Sequence, residues 1–285
     1  MITPYVPPQG FGERFYLYLK TSAYVDLSNF IGELRNLLGL GKFKDSEEFA
    51  ALAASIATFL YSSFKGLTSF QKDDIRFFPY RMYCYGSCTG SEQNAFNAFS
   101  ERLRELGDVE IHLTVRKEGE KEKGVDIQLA TDMLIHAAWD HYDVAILVTG
   151  DADFAPAIRR VRDLGKKVYI LFFKGFVAEE LERVADGTIP IPTSVERMYL
   201  LGKIIKEHFQ EQFRRQIVSM LGELRSNENI AQLVDNLINR IEGGDSMTTD
   251  DIAELRKCIT STVMSKKQHL RFMTRLLLYE GIIKA

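Results

Sequence analysis

The sequence predicts an α/β fold with a mainly parallel sheet, followed by an all-helical C-terminal domain. The unbroken apolar run Val144–Val148, which leads into the turn residue Gly150, is typical of a strand buried on both faces of a parallel sheet. From Phe154 the apolar residues recur at helical spacing, and Gly165 ends this segment as a helix C-cap. A second apolar run, Val168–Phe173, completes a strand–helix–strand unit.

The segments before and around this unit continue the alternation of strands and helices. A first strand ends at Asp26, although its polar lead-in Lys20–Ala23 is unusual for a buried strand. Because parallel neighbours need long crossover connections, helices between the strands predict parallel pairing. In chain order we expect helices at 30–40 and 46–64, a strand at 81–85, a helix at 91–106, a strand at 109–115, a helix at 126–139, a strand at 143–148, and helices at 154–164 and 177–184 around the strand at 168–173.

Two prolines mark the predicted end of the α/β domain. Pro190 and Pro192 lie in the polar segment Gly187–Ser194, where we expect regular structure to stop. The predicted domains are therefore 1–193, with a helical insertion at about 30–75, and 194–285. In the second domain, apolar spacing predicts helices at 205–224, 230–241, 248–263 and 269–283, the third opened by a capping box.

The apolar stripes of the C-terminal helices indicate core packing or an interface, either for a protein partner or for a second copy of the chain. A small winged-helix-like nucleic-acid module in the last two helices stays open as an alternative. No basic recognition helix stands out there, however.

The composition is that of an ordinary globular protein, with 46% hydrophobic and 26% charged residues. The chain has no apolar run of about 18 residues, and its start carries prolines instead of a basic and then apolar leader, so we expect neither a membrane span nor a signal peptide. Cys84, Cys88 and Cys258 lack metal-ligand spacing with the histidines. This argues against zinc and favours a reducing cytoplasm.

Four aspartates are expected at one edge of the sheet. Asp26 ends the first strand, Asp126 begins the middle helix, and Asp151 and Asp153 follow the run Val144–Val148. Ligands bind at the carboxyl ends of strands in open α/β sheets, where these side chains would raise one another's pKa values. A divalent cation reverses that penalty, and carboxylate oxygens suit Mg²⁺ or Mn²⁺. The pattern favours metal-assisted attack of water on a phosphodiester.

Each acid also has a purely structural interpretation. Asp151 and Asp126 are both candidates for ordinary helix N-caps, and Asp26 is a candidate for capping a short helix through Asn29. The recurrence of acids at every expected strand–helix junction favours the metal site.

The overall charge of −3 at first argues against a nucleic-acid enzyme, but a bound metal would neutralise the acids. Most basic clusters are expected to be solvated helix faces. Lys123 is the exception, because it lies three residues before Asp126 and is placed to meet a scissile phosphate. The charged run 116–123 that contains Lys123 is expected to be a solvated loop at the mouth of the cleft.

Three motifs occur in order along the chain. They are Tyr24-Val25-Asp26-Leu27-Ser28-Asn29, then Lys123-Gly124-Val125-Asp126 with Asp132, then Thr149-Gly150-Asp151-Ala152-Asp153-Phe154 with Gly165-Lys166. Over roughly residues 15–190 the sequence resembles the NYN domain family, which includes the LabA-type proteins and belongs to the PIN-like ribonuclease superfamily. The resemblance implies a PIN-like α/β/α sandwich, an acidic cleft that binds Mg²⁺ or Mn²⁺, and endoribonuclease activity on RNA.

In this hypothesis the metal ligands are Asp26, Asp126, Asp151 and Asp153. Asn29 would orient a ligand or water, and Thr149 would hydrogen-bond near the metal-bound phosphate. Asp132 is expected to support the site indirectly or to lie on the helix surface.

Two other functions remain open. One is a regulatory protein of the same fold that binds RNA or a protein without cutting. The other is a nucleotide-sugar transferase, in which an Asp-x-Asp pair holds a metal-bound diphosphate; this leaves Asp26 and Asp126 unexplained.

Overall fold

The computed structural model describes residues 17–69, 71–72, 75–191, 195–228, 230–259 and 265–284. In these residues a mixed sheet forms the centre of the α/β part. Six strands run parallel in the spatial order β4–β3–β1–β5–β6–β7, and β2 pairs antiparallel with the start of β3. The strands are β1 (Leu17–Asp26), β2 (Gln71–Lys72), β3 (Ile75–Thr89), β4 (Val109–Arg116), β5 (Val144–Val148), β6 (Lys167–Phe172) and β7 (Gly187–Pro190).

Helices flank this sheet and then form the C-terminal part of the chain. The first group is α1 (Leu27–Leu38), α2 (Glu47–Lys65), α3 (Gln93–Leu106), α4 (Val125–Ala138), α5 (Ala155–Asp163) and α6 (Glu179–Val184). The second group is α7 (Val195–His208), α8 (Gln210–Gly222), α9 (Ala231–Glu242), α10 (Thr249–Cys258) and α11 (Lys266–Lys284). The predicted fold class, a mainly parallel α/β sandwich followed by helices, is confirmed.

Two predicted elements were wrong. The segment after Gly187 was expected to lack regular structure, but Gly187–Pro190 forms β7 beside β6. A proline is tolerated because β7 is an edge strand and Pro190 is its last residue. The long helix expected at 205–224 is broken at Phe209, whose ring packs edge-on against Phe49 with centroids 4.8 Å apart.

The polar lead-in of β1 is buried after all. Thr21 and Ser22 are 0% and 2% exposed, because β1 lies in the middle of the sheet between β3 and β5. The hydroxyl of Thr21 donates a hydrogen bond to the carbonyl of Leu19 at 2.8 Å, which satisfies this buried polar group.

The C-terminal helices pack directly against the α/β part. The buried hydroxyl of Tyr279 on α11 donates to the carbonyl of Leu37 on α1 at 2.9 Å. Thr274 donates from α11 to the carbonyl of Lys174, just after β6, at 2.8 Å. The boundary predicted at 193/194 and the end of the helix predicted to reach 263 lie outside the described residues. Among the helices that are described, none is long and apolar enough to cross a membrane.

Candidate active site

Asp26 is the last residue of β1 and is almost fully buried, with 4% of its surface exposed. Its Oδ1 accepts a hydrogen bond from the backbone N–H of Asn29 at 3.0 Å, which caps α1. Its Oδ2 accepts a second one from the hydroxyl of Thr149 at 3.0 Å. Asp26 is therefore a helix cap, as its structural interpretation stated, and at the same time faces the end of β5.

The loop after β5 is fastened to the start of α1. The hydroxyl of Thr149 also accepts from the backbone N–H of Asp151 at 3.2 Å. The side-chain oxygen of Asn29 accepts from the backbone N–H of Gly150 at 2.8 Å. Asn29 and Thr149 thus fix the backbone that carries Asp151, through the side-chain oxygen of Asn29 and the hydroxyl of Thr149.

Asp151 and Asp153 follow on a short 3₁₀ turn before α5. Asp151 caps this turn, since its Oδ1 accepts from the backbone N–H of Asp153 at 3.0 Å. Asp126 is the second residue of α4, whose N-cap is Gly124 with a left-handed φ of 78°. The capping interpretation is confirmed for Asp151 and wrong for Asp126, which is an acidic side chain in the first helical turn.

The acids at this edge act on one another electrostatically. Partial burial raises the pKa of Asp126, and the negative charges of Glu122, Asp151 and Asp153 raise it further. Burial raises the pKa of Asp26 to about 6, against the hydrogen bonds from Asn29 and Thr149, and the charges of Asp126 and Glu122 add to the increase. Asp126 is therefore electrostatically linked both to Asp26 and to Asp151 and Asp153, and we call these acids together with Glu122 the acidic unit.

Glu122 is a member of this unit that sequence reasoning missed. Its Oε2 accepts hydrogen bonds from the hydroxyl of Ser28 at 2.7 Å and from the hydroxyl of Ser87. Ser87 also accepts a hydrogen bond from Nε of Arg116 at 3.1 Å. In the sequence Glu122 is one of several charges in a run that predicts a solvated loop, and no local signal distinguishes it.

Among the described residues, Asp132 and Lys123 form no hydrogen bond or ion pair with these acids. Asp132 accepts a hydrogen bond from the hydroxyl of Tyr85 at 3.0 Å, and Tyr85 is the register partner of Asp26 on β3. Lys123 is an exposed residue of the loop between β4 and α4. In the described part of the chain it forms no ion pair with the acids.

The donor set suits a hard divalent cation in its chemistry. Carboxylate oxygens are the preferred ligands of Mg²⁺ and Mn²⁺, and a cation would lower the raised pKa values of Asp26 and Asp126. Among the described residues, these two carboxylates and those of Asp151 and Asp153 have no ion pair with a lysine or arginine. No group of three acidic, histidine or cysteine side chains in the same residues is already arranged around a common metal position.

The parallel sheet, its flanking helices and its acidic carboxyl edge define a PIN-like α/β/α protein. The sequence profile of the NYN domain matches residues 21–192, more than half of the chain, so the protein belongs to the NYN domain family of the PIN-like superfamily.

Two similar proteins extend this comparison. The uncharacterized protein MJ0482 of Methanocaldococcus jannaschii is 36% identical over 67 residues, which cover 24% of this chain and 28% of that protein. The chain thus spans less than a third of this curated relative. A crystal structure of a protein of unknown function, VPA0982 from Vibrio parahaemolyticus, aligns with a TM-score of 0.42 and 20% identity over 61% of this chain and 93% of that one.

Proposed function

We propose that this protein is a metal-dependent endoribonuclease that hydrolyses phosphodiester bonds of RNA at the carboxyl edge of its sheet. Members of the NYN family are usually nucleases, and in this chain the charges of Glu122, Asp151 and Asp153 add to the burial that raises the pKa of Asp126. This concentration of negative charge around Asp126, on a fold of the NYN family, is the observation that carries the proposal, because a divalent cation relieves the repulsion.

Asp26, Asp126, Asp151 and Asp153 would hold Mg²⁺ or Mn²⁺. When bound, the metal supplies a nucleophilic hydroxide near neutral pH and neutralises charge on the phosphate. Thr149 keeps Asp26 in one orientation, since its hydroxyl is buried and donates to that carboxylate. Its role is therefore to position Asp26, in place of the phosphate contact expected from the sequence.

Asn29 fixes the Gly150 backbone and so the direction in which Asp151 leaves β5. Lys123 is exposed in the loop before α4, where a cationic side chain could meet the phosphate of a bound strand. The three cysteines are free thiols, in keeping with our proposal of a cytoplasmic location.

Cleavage of labelled RNA tests this function. Single-stranded and structured RNA are incubated with Mn²⁺, Mg²⁺ or EDTA, using wild type, Asp151→Asn and the matched surface variant Asp163→Asn. Asp163 is the last residue of α5, with 65% of its side chain exposed, and is paired with Arg160. We expect metal-dependent cleavage that is lost in Asp151→Asn and retained in Asp163→Asn, with all three proteins folded by circular dichroism.

Retained cleavage in Asp151→Asn would show that the acidic edge is not the site of cleavage. RNA binding without cleavage under any metal would favour the regulatory function instead. Thermal stabilisation by a nucleotide-sugar with Mn²⁺ would favour the transferase.

A further inference from the structure

A pocket of about 570 Å³ lies between the end of α8 and the first half of α11. Its lining includes Arg271 and Arg275, which are one helical turn apart and share a face of α11. The remaining wall includes the polar side chains of Ser226, Asn227 and Gln268 and the carboxylate of Glu223. Guanidinium groups with polar neighbours are the usual recognition chemistry for phosphate.

Contacts through the loop after β6 connect this pocket to the acidic edge. The Nε of Arg271 donates to the carbonyl of Gly175 at 2.8 Å, and its guanidinium lies 5.0 Å from the ring centroid of Phe176. The carbonyl of Phe176 in turn lies so close to Gly150 that a Cβ built on Gly150 would be 2.5 Å from it. Arg271 therefore packs on the loop that touches the residue preceding Asp151.

Helix α1 provides a second connection. Burial raises the pKa of Glu33, one turn after Asn29 on α1, and the nearby charges of Arg271 and Arg275 act in the opposite direction. The arginines and the candidate active site thus face the same helix, the one that begins at Asp26.

Both arginines keep donors that the protein leaves unused. Within the described residues, Arg271 makes no hydrogen bond besides the one to Gly175, and the Nε of Arg275 is buried without a partner. The Nη1 of Arg275 lies 3.5 Å from Glu223, whose side chain is 57% exposed. An anion can therefore enter by displacing an exposed carboxylate.

We propose that Arg271 and Arg275 bind a backbone phosphate of an RNA strand that reaches the acidic edge. This rests on the proposed function for its ligand, and it gives the C-terminal helices a direct role in holding the substrate.

The test measures RNA binding in the Asp151→Asn background with Mg²⁺, so that cleavage does not interfere. Anisotropy of a labelled single-stranded RNA is recorded across a salt series for the double variant Arg271→Gln/Arg275→Gln. We expect about tenfold weaker binding and a salt slope shallower by about 1.4, the value for two lost phosphate contacts on a single strand. The control is Lys203→Gln/Arg215→Gln, which removes two exposed charges from α7 and α8 and should change neither quantity.

A further variant excludes a merely structural effect. Glu223→Gln removes the competing carboxylate while leaving both arginines, and we expect it to tighten RNA binding severalfold. Equal affinity and salt slope in wild type and the arginine variant, or no effect of Glu223→Gln, would overturn the proposal. Arginine-dependent binding by a protein that never cuts RNA would leave this inference standing and remove only the nuclease. Cleavage by a protein whose RNA binding does not depend on the arginines would support the nuclease and overturn this inference.

Discussion

The hydroxyl of Thr149 donates to the buried carboxylate of Asp26 at 3.0 Å, although the two residues are 123 positions apart in the chain. This bond joins the ends of neighbouring strands β1 and β5, and the same hydroxyl accepts from the backbone of Asp151. One buried side chain thereby sets the relative positions of two proposed metal ligands.

Replacing Thr149 with valine should damage both stability and cleavage. The change keeps the shape but leaves the Asp26 carboxylate and the Asp151 N–H without this partner, so we expect a loss of about 1–3 kcal/mol. Displacement of the carboxylates should also lower kcat by about tenfold or more. Urea denaturation and single-turnover cleavage measure the two effects. Thr149→Ser retains the hydroxyl and should stay close to wild type; equal behaviour of the two variants would contradict the positioning role.

Asp26→Asn should stabilise the metal-free protein above pH 6. Burial raises the pKa of Asp26 from 3.8 to about 6, so the folded state binds this proton more tightly than the unfolded chain. The contribution of Asp26 is thus favourable below pH 3.8 and is lost as the pH rises through 6. At pH 7.5 the asparagine avoids this loss, which is at most about 3 kcal/mol.

Thermal or urea unfolding in EDTA from pH 4 to pH 8 measures this gain, which should shrink as the pH falls. The surface variant Asp163→Asn, which removes an exposed carboxylate, serves as the control. A gain in stability that is independent of pH would show that the charge of Asp26 is not its cause.

Glu122→Gln should weaken metal binding while preserving the fold. The negative charge of Glu122 acts on Asp26 and Asp126, whose pKa values it raises, and the same charge would attract a cation bound by them. Glutamine removes this charge but keeps an oxygen acceptor for Ser28. We expect the Mn²⁺ concentration for half-maximal cleavage to rise severalfold, with activity recovered at high Mn²⁺. Glu118→Gln, in the same loop but bonded to Ser91, serves as the control. An unchanged metal dependence would limit Glu122 to a structural role.

Gly150→Ala should destabilise the site by about 1–3 kcal/mol, because the added Cβ would lie 2.5 Å from the carbonyl of Phe176. The Cβ is fixed by its own backbone and the carbonyl is itself backbone, so the clash is relieved only if the loop after β5 or the loop after β6 moves. Gly32→Ala on α1 meets nothing within 4 Å and should stabilise by about 1 kcal/mol. Urea unfolding compares the two variants, and equal free energies of unfolding would show that the loop containing Phe176 moves aside without cost.

Tyr279→Phe should destabilise the α/β part from a distance. The lost hydroxyl bonds the carbonyl of Leu37, and removal of one buried hydrogen bond costs about 1 kcal/mol. If the C-terminal helices and the sheet unfold together, hydrogen exchange of the β5 amides should become about fivefold faster. Leu277→Ala, at an exposed position of α11, is the control. Unchanged exchange in β5 would mean that the helices unfold independently of the sheet.

Much of the fold follows from local signals in the sequence. The run Val144–Val148 and the helix after it were predicted nearly to the residue, because periodicity is fixed by the geometry of each element. The capping box at Thr248 formed as predicted, since its side-chain oxygen and the N–H group of Asp251 are only three residues apart. The positions of Asp26, Asp126 and Asp151, at the end of a strand or the start of a helix, were also predicted from local patterns.

Tertiary structure alone decided the features that depend on distant partners. The hydroxyl of Thr149 was expected to serve the phosphate, and Glu122 was expected to be solvated; their partners Asp26 and Ser28 lie 123 and 94 residues away. The periodic helix is interrupted at Phe209, whose ring packs on Phe49, and β7 forms because the edge of β6 offers it backbone hydrogen bonds. Local periodicity and capping specify which elements form, whereas the free energy of packing them together specifies which side chains meet.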